Sequence, residues 1–203
     1  EPRSIDRETA ETFKRALRFG LSHMGALIEV EISNTQGHLR VDRAALEQLV
    51  CVVLAAEDRA RASISIALVD NASIHAVNQT YLGHDWPTDV ISFPLSAPAD
   101  PVLTGELVIS AEMACTCARE IGVDPRHELA LYVVHGLLHL CGFDDHDHAD
   151  RRRMRDREDV LLSQAGLTNP YPLGNEALPG LHDHHAMGSR RLTRKLEGQP
   201  WTA

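Results

Sequence analysis

His135 and His139 stand four residues apart in the run His135-Gly136-Leu137-Leu138-His139-Leu140-Cys141-Gly142-Phe143-Asp144-Asp145-His146. Successive helical residues turn by about 100°, so positions i and i+4 lie about 40° apart and one turn up, and two imidazoles there can close on one Zn²⁺. Gly142 is suited to a left-handed C-terminal cap, after which the chain can reverse and bring Asp145 or His146 back to the same ion as a third ligand. Three protein ligands with a fourth position left for water is the arrangement of catalytic rather than structural zinc.

A His pair at this spacing also arises by chance in a chain with 12 histidines. Its setting gives this one weight: Leu131, Val133, Val134, Leu137, Leu138 and Leu140 surround it with apolar side chains, and histidines beside a buried face need partners to offset their desolvation. Two zinc chemistries are disfavoured. The His-Glu-x-x-His proteases place their general base directly after the first histidine, where this chain has Gly136. The nearby His127-Glu128 does not replace it, because Leu131 follows where a second histidine would be needed. The deaminase pattern fails too, since no Pro-Cys-x-x-Cys follows a His-x-Glu.

The elements that must hold this helix can be read along the chain. Leu27 to Ser33 alternates Ile28, Val30 and Ile32 with Glu29 and Glu31, the period-two pattern of a half-buried strand. Asp42 caps a helix whose Leu46, Leu49, Val50, Val53 and Leu54 form one apolar stripe. Ser63 to Val69 reads as a second strand, and Asn71 as the cap of a short helix running through Asn78. Strands follow at Val90 to Phe93 and Glu106 to Ser110, then a helix from Ala111 to Ile121. Asp124-Pro125 opens the metal-site helix, with an N-cap and a proline at the first helical position, and it runs to Cys141. A last helix covers His148 to Gln164 and ends at Gly166. The order β-α-β-α-β-β-α-α-α predicts an α+β fold: a small mixed four-stranded sheet layered with helices, in which the metal-site helix is followed by a Gly-capped ligand loop.

Composition sets the limits. The chain has 203 residues, 43% of them hydrophobic, enough for one good-sized core, and no apolar run approaches the ~18 residues of a membrane span. Cys51, Cys115, Cys117 and Cys141 follow no disulfide-scaffold or zinc-finger spacing and read as reduced thiols of a cytosolic protein; Cys141, beside the His pair, could be a fourth ligand or small apolar filler. A net charge of -9 argues against broad nonspecific grip on nucleic acid. A local basic helix at Arg151-Arg152-Arg153-Met154-Arg155-Asp156-Arg157 could still border the site, or its charges could form intrahelical pairs with Asp156, Glu158 and Asp159 on a solvated face. Three regions are expected: an N-terminal extension at 1–25, one domain at 26–167, and a disordered tail at 168–203 whose His182-Asp183-His184-His185 tract is an adventitious metal binder.

The run His-Gly-x-Leu-His-Leu-x-Gly-aromatic-Asp resembles the signature of the YbeY family of bacterial rRNA maturation factors, which are zinc-dependent, single-strand-specific endoribonucleases. A second segment, Asn78-Gln79-Thr80-Tyr81-Leu82-Gly83-His84-Asp85-Trp86-Pro87-Thr88-Asp89-Val90-Ile91-Ser92-Phe93-Pro94, is similar to the family's Leu-Asn-x-x-Tyr-Arg-x-x-Asp-x-Pro-Thr-Asp-Val-Leu-Ser-Phe-Pro. A third, Gly105-Glu106-Leu107-Val108-Ile109-Ser110, resembles its Gly-Asp-Ile-x-Ile-Ser strand. The blocks come in family order and span roughly residues 28 to 165.

The resemblance implies a metal-dependent endoribonuclease domain with Zn²⁺ on His135 and His139, catalysis resting on His135 through the ion, and a third ligand at Asp145 or His146. Most of the family has a histidine six residues after the second ligand. Asp145 keeps that spacing, and hence the reach, while His146 keeps the residue type. Leu82 stands where the family usually carries an arginine thought to serve the phosphate, and His84 is a weak candidate replacement. Asp144, Glu112 or the unused member of the Asp145/His146 pair could move the proton. The implied substrate is single-stranded RNA, with small-subunit rRNA 3′-end processing and ribosome quality control as its setting, the ribosome as partner and the cytoplasm as location. A non-catalytic assembly factor with a structural zinc, or a different metal hydrolase, are the other readings.

Overall fold

The computed structural model describes residues 27–171. The expected N-terminal extension at 1–25, most of the expected tail and the His182-Asp183-His184-His185 tract therefore lie outside the described residues. Strands β1 (Leu27–Asn34), β2 (Arg61–Val69), β3 (Val90–Pro94) and β4 (Leu103–Ser110) form a mixed sheet in the order β1-β2-β4-β3. The β1-β2 and β2-β4 pairs are parallel, and β3 lies antiparallel on the outer edge of β4, with Val90 opposite Ile109. The five helices of the described residues are α1 (Arg43–Ala56), α2 (Asn71–Leu82), α3 (Ala111–Ile121), α4 (Pro125–Cys141) and α5 (His148–Gln164). This is the α+β layering that the order of elements predicts.

Local chemistry accounts for most of the boundaries. Asp42, Ser110, Asp124 and Asp147 each accept a hydrogen bond from a backbone N–H of the first turn of α1, α3, α4 and α5, satisfying donors that the helix leaves unpaired. One cap differs from expectation. Asp70, rather than Asn71, caps α2 by accepting from Ser73 N, while the Asn71 side chain accepts from Ser110 Oγ at 2.6 Å. The same helix continues past Asn78 to Leu82 and ends at Gly83 with φ 73°; its last turn carries mostly polar, exposed residues, so no apolar period marks it.

Alternate strand residues feed two cores. Ile64, Ile66, Leu107, Ile109 and Val90 pack with α1, α4 and α5 on one face of the sheet, whereas Ile91 and Val108 pack with Ile74 of α2 on the other. Helix α4 lies innermost: from Glu128 to Leu140 every residue is buried. A helix buried on all sides must approach its neighbours closely, and Gly136 is where it does so. A β-carbon there would come within 2.9 Å of Leu107 Cδ2, 3.1 Å of Val90 Cγ2 and 3.2 Å of Ser92 Oγ. Ser92 Oγ uses this proximity to donate to the Gly136 carbonyl at 3.2 Å. The position that holds glutamate in His-Glu-x-x-His enzymes is thus pressed against the sheet and has no room for a side chain.

Packing continues beyond residue 167, the expected edge of the domain. Asn169 is buried and Tyr171 packs against the main core. Among the described residues no helix is long and apolar enough to cross a membrane.

Gly136→Val should lower stability by about 1–3 kcal/mol through overpacking against β3 and β4, read as a drop of the thermal midpoint. Gly37→Val, where a β-carbon meets nothing within 4 Å, should leave it nearly unchanged.

Candidate metal centre

His135 and His139 project from the last two turns of α4 at 6% and 1% exposure. Their rings meet edge to face with centroids 4.6 Å apart. Each Nδ1 is engaged. His135 Nδ1 lies 2.6 Å from Glu158 Oε1 on α5, and His139 Nδ1 lies 3.2 Å from the Phe143 carbonyl oxygen in the loop after the helix. The Phe143 carbonyl can only accept, so His139 carries its proton on Nδ1 there, and the Glu158 carboxylate beside His135 Nδ1 favours the same arrangement, which leaves Nε2 of each ring as the ligand atom. The two Nε2 atoms are 3.1 Å apart.

That geometry fits a metal. A cation between them would take both Nε2 lone pairs at once, and tetrahedral zinc with Zn–N bonds of about 2.0–2.1 Å sets its nitrogens roughly 3.3–3.4 Å apart. A proton is disfavoured on His139, whose pKa is lowered to about 3 by burial first and by His135 second. A third donor completes the group: His135, His139 and Asp145 present ligand atoms all within 4.8 Å of one another. Burial pushes the Asp145 carboxyl above its ordinary value, so the charged form is in want of a cation partner there.

The loop decides how the remaining acidic and imidazole groups are disposed. Gly142 takes φ 106° and its N–H bonds back to the end of α4, which returns the chain toward the pair. His146 is exposed and its Nδ1 bonds the Asp144 carboxylate rather than joining the buried histidines. It belongs instead to an outer group of Asp144, Asp145 and His146 that shares Asp145 with the inner one. Burial raises Asp144, but hydrogen bonds from His146 and from the Asp145 N–H hold it net below its ordinary value. Glu112 is engaged elsewhere, accepting from Asn71 N at 2.9 Å and lying 3.7 Å from His38. The Cys141 thiol is not among the converging atoms; burial pushes it up to about 11.

Leu82 packs, partly buried, with Ile74, Ile91 and Val108, so its side chain serves the second core. His84 stacks on Trp86. The basic run of α5 divides between uses. Arg157 ties α5 to α1 through Glu57 Oε1 at 2.6 Å and the Ala56 carbonyl at 2.8 Å, and Arg153 pairs with Asp150. Arg151 turns to the ligand loop, 3.4 Å from the Asp145 carbonyl and 3.5 Å from that of His146.

A sequence model of the family described as Endoribonuclease YbeY matches residues 31–166, from β1 to the end of α5 and therefore across the whole metal group. Among full proteins, Endoribonuclease YbeY of Carboxydothermus hydrogenoformans is 43% identical over 140 residues, covering 68% of this chain and 97% of that protein. The Rhodopirellula baltica protein of the same name is 38% identical over 157 residues, covering 76% and 80%. The chain belongs to the YbeY family. Its fold also resembles the solution structure of TM1509 from Thermotoga maritima, with a TM-score of 0.50 and 25% identity over 67% of this chain and 88% of that one.

Within this family frame, Glu158 is the site residue that the sequence hid. It reads as one more charge on a solvated helix face, yet it is 6% exposed and fixes the ring of His135. Its signal was its place: Met154, Glu158, Leu161 and Leu162 form the buried stripe of α5, so a helical period put the carboxylate on the apolar side.

Two outcomes test this geometry. Asp145→Ala should lower zinc content far more than His146→Ala; the reverse ranking by metal analysis would reassign the third ligand. Glu158→Gln keeps the size but weakens the hold on His135, and should reduce zinc affinity by about 10–100-fold in competition with a chelator.

Proposed function

We propose that this chain is a zinc-dependent endoribonuclease that cuts single-stranded RNA by metal-assisted hydrolysis of a phosphodiester. The observation that carries the reading is the convergence of His135, His139 and Asp145 on one point, in a chain of a family described as endoribonucleases. Zinc supplies two things when bound: it lowers the pKa of a water toward about 7, and it polarises a phosphate oxygen.

The residues of the chain do the rest. Glu158 holds His135 in the Nδ1–H tautomer, and the Phe143 carbonyl does the same for His139, so both Nε2 atoms are ready without rearrangement. Asp145 adds a negative charge that offsets part of the ion's. Asp144, half-exposed beside it and held below its ordinary value by His146, is the group we assign to take a proton from the attacking water and pass it to solvent. Arg151 sets a positive charge at the edge of the loop, where an incoming phosphate can meet it.

Because the histidines are recessed, a flexible strand reaches them more readily than a duplex, whose phosphates are held on a rigid A-form helix. The reading extends to small-subunit rRNA as substrate, at its 3′-end processing, to the ribosome as partner in maturation and quality control, and to the cytoplasm as the place of action. The support for these finer terms is the resemblance of the three sequence blocks.

His135→Ala in the zinc-loaded protein should abolish cleavage of single-stranded RNA while far-ultraviolet circular dichroism stays close to that of the wild type; duplex RNA should be cut poorly by both. If the zinc-loaded wild type cuts no single-stranded RNA, or the variant cuts it equally well, the nuclease reading gives way to that of an assembly factor with a structural zinc.

A further inference from the structure

The loop between α2 and β3 holds an exposed indole in a fixed setting. Trp86 is 43% exposed, although an aromatic ring of that size is usually well buried. His84 stacks against it with ring centroids 4.8 Å apart and planes 10° from parallel. Asn78, fully buried, donates from Nδ2 to the Trp86 carbonyl at 2.8 Å. Asp85, between them in the chain, is clamped onto α2, its Oδ1 2.9 Å from both His75 Nε2 and Gln79 Nε2. Gly83 turns the chain into this loop with φ 73°. The indole therefore stands on a braced base, one face covered by imidazole, with much of the remainder open to solvent.

The loop leads directly to the metal group. Val90, four residues on from Trp86, abuts α4 at Gly136, the neighbour of His135. Resting on the endoribonuclease reading, we propose that Trp86, backed by His84, is a stacking platform for a nucleobase of the single-stranded RNA, docking the strand beside the metal centre. The charge of the chain favours this mode. At a net -9 the chain as a whole repels a polyanion, whereas base–aromatic stacking needs no cation and tolerates any base. Preforming the His84–Trp86 stack also removes the ordering cost that a free indole would carry on binding.

The test uses fluorescence of the full, zinc-loaded chain. Trp86 and Trp201 are the two tryptophans, so Trp201→Phe leaves Trp86 as the sole indole reporter. A short 2′-O-methyl oligoadenylate should quench its emission, and an abasic sugar–phosphate strand of equal length should not. In the otherwise native chain Trp86→Leu should weaken oligoadenylate binding by roughly five-fold or more, the order expected for one lost stack, while Trp86→Phe keeps most of it and zinc content stays the same. Equal quenching by the abasic strand, no quenching at all, or Leu binding as tightly as Trp overturns the proposal. The quenching arm leaves the loop intact, so it decides the matter even if Trp86→Leu folds poorly. Cleavage without quenching removes the platform and spares the nuclease; quenching without cleavage does the reverse.

Discussion

Two imidazoles facing each other inside a buried helix impose the demand around which this domain is arranged. Removing them from water is costly unless every ring nitrogen finds a partner, and α4, surrounded by apolar side chains, has none of its own to offer. The partners come from three directions: Glu158 from α5, the Phe143 carbonyl from the capped turn, and Asp145 from the loop beyond it. Each holds one atom of the pair or the point between them. Zinc at that point would turn an electrostatic liability into the bond that secures the whole group.

The same demand explains the sheet contact. A helix that carries its functional groups at its C-terminal end, and is covered on all other sides, must press its N-terminal turns and middle into the core. Gly136 permits that approach, and Ser92 answers it with a hydrogen bond to the helix backbone. The edge strand β3 is thereby fixed against α4, and the α2-β3 loop with it. One packing contact therefore links the turn that carries His135 to the braced loop that carries Trp86.

Charge is used unevenly across the domain. On α5, arginines that suggest a nucleic-acid surface are drawn into structural duties, Arg157 as a clasp to α1 and Arg153 as an exposed pair with Asp150. Exposed pairs of the second kind contribute little stability. Arg151 alone among these three turns to the ligand loop. Leu82 illustrates the converse: where the resemblance led to an expected arginine, this chain has an apolar side chain packed with Ile74, Ile91 and Val108.

The sequence by itself determined what depends on residues within about four positions of one another. The i, i+4 spacing of His135 and His139, the cap and proline that open α4, the glycine that closes it and the alternation of the strands are all local, because helix and strand geometry repeat over those distances. The order of elements then implied the mixed sheet. Tertiary structure alone decided which distant groups complete them. Glu158 lies 23 residues from His135 and meets it only because α5 folds back across α4. Ser92 meets Gly136 across 44 residues because the sheet lies under the same helix. Asp145 faces the pair and His146 turns to Asp144, a choice made by the path of one loop after a left-handed glycine. Such contacts depend on packing angles that no short stretch of chain encodes, since they follow from the shapes of both surfaces at once.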